Sequence, residues 1–260
     1  SAPSLHTPPI RQGVEEKGYD ITFLGRHVGK SELSYSEHSK YRGVDGVIVA
    51  CVDFEAEEVK ELLRSGIPVV TIDYIFNDKA CVMSDNIRGM EQLVSYIIQC
   101  GHKKIAYIHG ADSFVTRSRI GSFLRTMKKY GIETEDRYIR EGIYHAPDVS
   151  AKITHELLSL EDRPTCIVYP DDFSCIGGIN VIRSKGLSIP NDISVAGYDG
   201  QRIARVIEPK ITTYRQNTEQ IGKVAAAKLV ELIEQPELAL VERLDVQGEL
   251  IRGCSVLSMK

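Results

Sequence analysis

The 260-residue chain lacks an excess of positive charge: 32 Lys and Arg stand against 36 Asp and Glu, for a formal net charge of −4. No broad basic surface is available to draw nucleic acid, so a role on DNA needs another segment. Metal-ligand spacing is missing as well. The six cysteines, Cys51, Cys81, Cys100, Cys166, Cys175 and Cys254, are scattered, with no CxxC and no Cys/His grouping of the kind that holds zinc. They sit mostly in apolar stretches such as Gly46 to Val52 and read as reduced, buried packing residues rather than a disulfide framework. No apolar run approaches the roughly 20 residues of a membrane helix, and the first residues carry no positive lead ahead of an apolar stretch. A cytoplasmic protein is expected, although a processed secretory protein would have lost its signal.

Catalytic motifs are equally scarce. There is no Walker loop, GxSxG elbow, HExxH pair or strand-linked GxGxxG, and the Ser, His and Cys residues follow no triad order. Asp73, Asp171, Asp172 and Asp199 are conceivable glycosidase carboxylates, but that chemistry needs a separation that sequence does not set. No enzyme activity, metal or cofactor is expected.

What the chain does contain is one repeated theme: a short β-branched run, a turn, then an amphipathic segment of helical length. Strands are expected at Val44 to Val52, Val69 to Ile72, Ile105 to His109, Thr165 to Tyr169 and Ser194 to Tyr198. Helices are expected at Ala56 to Arg64, Ile87 to Gln99, Arg119 to Tyr130, Val149 to Ser159, Ser174 to Ser184 and Thr218 to Glu234. The alternation implies parallel sheets flanked by helices. A total of about eight to ten strands suits two lobes better than one. Ser1 to Gln12 offers no opening strand, and Arg26 to Arg42 is polar without an apolar stripe; both read as long, mobile loops unless native residues are missing from this region.

Several segments, in order, resemble the lactose/galactose repressor family. They are Gly43-Val44-Asp45-Gly46-Val47-Ile48-Val49, Gly66-Ile67-Pro68-Val69-Val70-Thr71-Ile72-Asp73, Ser84-Asp85-Asn86, Arg117-Ser118-Arg119 with Phe123, and Ile211 to Gln216. The most specific is Pro164 to Gly200, ending in Ile189-Pro190-Asn191-Asp192-Ile193-Ser194-Val195-Ala196-Gly197-Tyr198-Asp199. The resemblance runs from about residue 43 to 255. It departs at the atypical first segment, and at Asp171-Asp172, where the family has an Asn-Asp pair.

This resemblance implies a periplasmic-binding-protein-like α/β fold of two doubly wound parallel-sheet lobes joined by a three-strand hinge. The first lobe would span residues 1–84 plus 218–243 and the second residues 85–217 plus 244–260, with an effector cleft between them. It implies a sugar-sensing domain of a transcription regulator, a homodimer paired through the first lobe, and DNA contact only through a helix-turn-helix headpiece outside these residues. A periplasmic sugar-binding protein of an importer is the alternative.

Sugar recognition needs planar groups that fork across vicinal hydroxyls, and flat apolar faces for the C–H surface. By family match, Asp199 is the acceptor at a strand end and Arg119 the forked donor. Asp73, Asp171 and Gln216 are further candidate polar contacts, while Asp172 is expected to cap the helix that follows. Tyr144 is the first choice for stacking, with Phe173 and Tyr74 in reserve. Arg117 reads as an interlobe or surface residue.

Overall fold

The computed structural model describes residues 7–25, 27–28, 31–76 and 78–259. It divides into two compact units, one of Ser1–Ser84 with Asn217–Val246 and one of Asp85–Gln216 with Gln247–Lys260.

In the first unit four parallel strands lie in the order Arg243–Val246, Ala80–Ser84, Val69–Ile72 and Val47–Val49. The two central strands are buried at every position, as in a parallel sheet covered on both faces. Val70, Ile72 and Val82 pack with Ile221, Ala225 and Leu229 of the helix Thr218–Glu234. Val47, Val49 and Val69 form a separate cluster with Val59, Leu62 and Leu63 of the helix Glu57–Arg64. Period-2 alternation explains the split, since neighbours such as Val69 and Val70 face opposite sides of the sheet.

Two polar stretches depart from the loop expectation. Tyr35–Arg42 is a helix, started by a capping box in which Ser34 Oγ accepts the Glu37 N–H at 3.2 Å and the Glu37 carboxylate accepts the Ser34 N–H at 2.8 Å. Its buried residues are Ser36, His38 and Ser39, so hydrophobic periodicity could not reveal it. Thr7–Glu15 is likewise helical and packs Val14 against Ala226 and Val230. Residues 1–6 lie outside the described residues. His27–Val28 pairs antiparallel with Ser31–Glu32, which helps bring the described strands to twelve, above the expected range.

The second unit has six strands in the order Glu249–Ile251, Thr212–Arg215, Ser194–Asp199, Cys166–Val168, Ile105–His109 and Ile139–Glu141. Only Glu249–Ile251 runs antiparallel. Met90, Leu93 and Ile97 of the helix Asn86–Gln99 join Phe123 and Met127 of the helix Phe114–Lys129 in one core cluster. Ile153 and Leu157 of the helix Pro147–Leu158 join Cys175 and Ile179 of the helix Asp172–Ser184 in another. All six cysteines are free. Cys81, Cys100, Cys166 and Cys175 are buried, whereas Cys51 and Cys254 are exposed, which corrects the expectation that all of them pack inside.

Candidate functional site

Five parallel strands of the second unit present their carboxyl ends along one edge of its sheet, where open α/β sheets bind ligands. The segments leaving that edge carry Gly110, Tyr144 and His145, Asp171, Asp199 and Gln216.

Arg119 comes to this edge from a helix. Phe114–Lys129 begins ahead of the predicted start, because Ser113 Oγ accepts the Thr116 N–H at 3.1 Å and caps it. Arg119 is therefore held inside the helix, with only 3% of its surface exposed. Its Nε donates to Asn86 Oδ1 at 2.8 Å and a terminal nitrogen donates to the Pro170 carbonyl at 3.3 Å. The other terminal nitrogen lies 3.9 Å from Asp199 Oδ1, close enough for an ion pair but too far for a hydrogen bond. The guanidinium carbon stands 3.7 Å over the Tyr198 ring centre and 5.8 Å from that of Tyr144. Burial disfavours the charge, yet Tyr198, Tyr144 and Asp199 together hold the guanidinium above its usual range. It stays a cation.

Asp199 closes the strand Ser194–Asp199 with φ of +93°, a conformation uncommon outside glycine. The register pairs Arg215 with Asp199, so Gln216 is the next residue along the neighbouring strand, and its amide donates to Asp199 Oδ1 at 2.5 Å. One carboxylate oxygen is thus held while a strained backbone aims the group, the kind of strain that accompanies binding sites.

Of the two aspartates that follow, Asp171 takes the capping role expected of Asp172. Asp171, not Asp172, caps the helix Asp172–Ser184, accepting the Ser174 N–H at 2.8 Å. Asp171 has the extended backbone of a cap, while Asp172 is already helical. The other Asp171 oxygen accepts the Ser174 hydroxyl and the His145 N–H, both at 2.8 Å. Burial would raise the Asp171 carboxyl, but the hydrogen bonds from His145 and Ser174 outweigh it and hold it below the usual range. Asp172 is buried and accepts the Gln201 N–H at 2.6 Å. Burial pushes its carboxyl up to about 8, opposed by the Thr213 hydroxyl and helped by the nearby charge of Asp199.

Tyr144 lies beside Gly110, where a side-chain carbon would fall 2.1 Å from the ring, so glycine there is what admits the aromatic. The Tyr144 hydroxyl is 2.9 Å from Thr116 Oγ1. Phe173 is 43% exposed on the first turn of its helix. Arg117 is exposed and pairs with Asp112 at 3.4 Å.

The two remaining candidates belong to the first unit. Asp73 follows the strand Val69–Ile72 with φ of +60°. Tyr74 stacks on Phe54 with ring centres 4.2 Å apart, and its hydroxyl donates to Glu55 at 3.2 Å. A cavity of about 720 Å³ in this unit, lined by Ile21, Leu24, Val47, Val49 and Leu229 among others, contains neither. Sequence reasoning missed Asn86, Tyr198 and His145. Tyr198 stands in the matched Gly-Tyr-Asp, but its burial reads as core; nothing in sequence distinguishes His145.

A family model for the periplasmic-binding-protein-like domain matches residues 94–256, more than half of the chain. The transcriptional repressor PurR of Mannheimia succiniciproducens is 30% identical over 95% of this chain and 76% of that protein. A LacI-family regulator from Enterococcus faecium with bound ribose superposes with a TM-score of 0.81 at 23% identity, covering 100% of this chain and 97% of the other. A complex of the regulator CelR with cellobiose gives a TM-score of 0.82 at 24% identity, covering 96% and 77%. The class is that of periplasmic-binding-protein-like domains. Within it the chain belongs to the LacI family, as the effector-binding domain of a transcription regulator rather than an enzyme.

Proposed function

We propose that the second unit binds a small sugar along the carboxyl edge of its sheet, and that this binding controls a DNA-reading segment outside these residues. The observation that carries the reading is the Arg119–Asp199 pair, in which a buried forked cation and a carboxylate stand 3.9 Å apart at a strand end. Asp199 accepts from sugar hydroxyls, Arg119 donates with its uncommitted nitrogen, and Gln216 fixes Asp199. Tyr144 supplies the flat face, with Phe173 beside the same edge. Asp73 and Tyr74 are candidates on the first unit. The ribose and cellobiose complexes of the two structural relatives support a sugar as the ligand class.

The protein works in the cytoplasm as a homodimer paired through its first unit. Homology to a repressor favours this over solute delivery to an importer. A thermal-shift screen of mono- and disaccharides, including ribose and cellobiose, tests the reading. At least one sugar is expected to raise the melting temperature, and Asp199→Asn should reduce that rise at a given sugar concentration; no response to any sugar would overturn it. Sedimentation at micromolar concentration checks the dimer.

A further inference from the structure

We propose that His145 is an effector contact of the second unit, and that Asp171 is the positioning residue that presents it. The inference rests on the sugar-binding reading above and reassigns one of its residues. Asp171 matches a family position that carries an amide, yet its side chain is wholly buried and its oxygens are already engaged. One accepts the Ser174 N–H and lies 3.6 Å from His145 Nδ1; the other accepts the Ser174 hydroxyl and the His145 N–H. Three of the carboxylate's roughly four acceptor positions are thus filled, and the remaining one faces His145 Nδ1 at 3.6 Å.

What these bonds accomplish is the placement of His145. Its backbone sits at φ of +55°, costly for a non-glycine residue unless held, and the Asp171 carboxylate holds its N–H from below the helix cap. The imidazole is 60% exposed although its backbone N–H is bonded to a fully buried anion and its Nδ1 faces that anion at 3.6 Å. A ring drawn toward the carboxylate through Nδ1 and open elsewhere offers Nε2 to an incoming group. It adjoins Tyr144, whose ring is 5.8 Å from the Arg119 guanidinium carbon.

The charged groups acting on His145 are Asp171 and, less strongly, Asp199. The Asp171 carboxylate facing Nδ1 at 3.6 Å raises the imidazole's pKa, with burial opposing, so the ring carries a proton to higher pH than an ordinary histidine. His145 then joins Arg119 as a second cationic donor, while Asp199 is the edge's acceptor. The chemistry it reads is an oxygen acceptor on the sugar, either a hydroxyl or a carboxylate.

The test combines NMR titration of the His145 imidazole with sugar binding by ribose, cellobiose, glucose and glucuronate. Without sugar, the ring is expected to titrate above the ordinary histidine range, and Asp171→Asn, which keeps the cap's shape, should bring it back down. A sugar that binds should shift the His145 ring resonances, and His145→Gln should weaken that sugar about tenfold, the effect of one charge-assisted hydrogen bond. The loss should be larger at pH 6 than at pH 8. Preference for glucuronate over glucose assigns the acceptor as a carboxylate, and the reverse assigns it as a hydroxyl. A sugar that perturbs Tyr198 but leaves His145 unmoved, with His145→Gln binding unchanged, overturns the contact. An imidazole titration unaltered by Asp171→Asn overturns the positioning role. A thermal-shift screen in which no mono- or disaccharide binds overturns the underlying sugar reading, and this inference with it.

Discussion

Replacing Asp199 by Asn keeps the side chain's shape and its oxygen for the Gln216 amide, but removes the charge that faces Arg119. At 3.9 Å and an effective dielectric near 20, the gross attraction lost is about 4 kcal/mol. Desolvation of both groups offsets most of that, because Arg119 is buried and the Asp199 side chain only 19% exposed. A net loss of about 1 kcal/mol of folding stability is expected for Asp199→Asn. Arg119→Met also breaks the bonds to Asn86 and Pro170 and the stacking on Tyr198, and should cost about 3 kcal/mol. In the double variant the shared pair is counted once, so the combined loss should fall short of the sum by about 1 kcal/mol. With no tryptophan in the chain, urea unfolding followed by far-UV circular dichroism is the assay. For a sugar found in the screen, Asp199→Asn should weaken binding by about 1.5 to 3 kcal/mol, roughly 10- to 150-fold. Additivity of the two substitutions within about 0.3 kcal/mol, together with unaltered sugar affinity, would refute the reasoning.

Asp172 gives a pH prediction of opposite sense to an ordinary ion-paired carboxylate. Its folded-state pKa, pushed up to about 8, exceeds the unfolded value, so the folded state binds the proton more tightly. Its contribution is fully present below the unfolded pKa near 4 and is lost as pH rises through about 8. Asp172→Asn removes that dependence, and its stabilising effect should grow by about 3 kcal/mol between pH 5 and pH 8; thermal melts with a pH-independent difference would contradict this. Gly177→Ala should destabilise by about 1 to 3 kcal/mol, since the added carbon would fall 1.8 Å from the Pro147 carbonyl oxygen and force two packed helices apart. An unchanged melting temperature would mean that the helix Pro147–Leu158 yields without cost.

The α/β alternation was legible wherever burial on both faces writes itself as an apolar run, as in Val69–Ile72, or as a helical stripe, as in Asn86–Gln99. It failed at Tyr35–Arg42 because that helix buries Ser, His and Ser rather than aliphatic residues, and its start signal, Ser34 with Glu37, is local chemistry that hydrophobic periodicity ignores. The position of Asp199 at a strand end followed from the apolar run before it. Which of Asp171 and Asp172 caps the helix did not, because either carboxylate can do so and only the backbone decides. Arg119 was chosen from resemblance; its bond to Asn86 and its seat over Tyr198 join residues from three separate elements, a relation no spacing along the chain encodes. His145 carried no signal at all, since what distinguishes it is a positive φ and a buried anion beneath it.

The segment 247–260 has a bearing on how the protein is made. It belongs to the second unit, although the whole of the first unit precedes it along the chain. Ser255 Oγ accepts the Thr212 N–H at 2.8 Å and donates to the Val195 carbonyl at 2.6 Å, while the Val195 N–H donates to the Ser255 carbonyl at 2.9 Å. Leu257 donates its N–H to Ser194 Oγ, and its carbonyl lies 3.1 Å from the His102 ring. Until these residues leave the ribosome, buried groups on two strands and a residue just past a helix end have no partner, an unfavourable state for an interior. At the usual synthesis rate of roughly 5 to 20 residues per second, about 2 to 8 seconds separate Gln216 from Ser255. During that interval the nascent second unit lacks its edge strand Glu249–Ile251, whereas the chain of the first unit is complete once Val246 has been added.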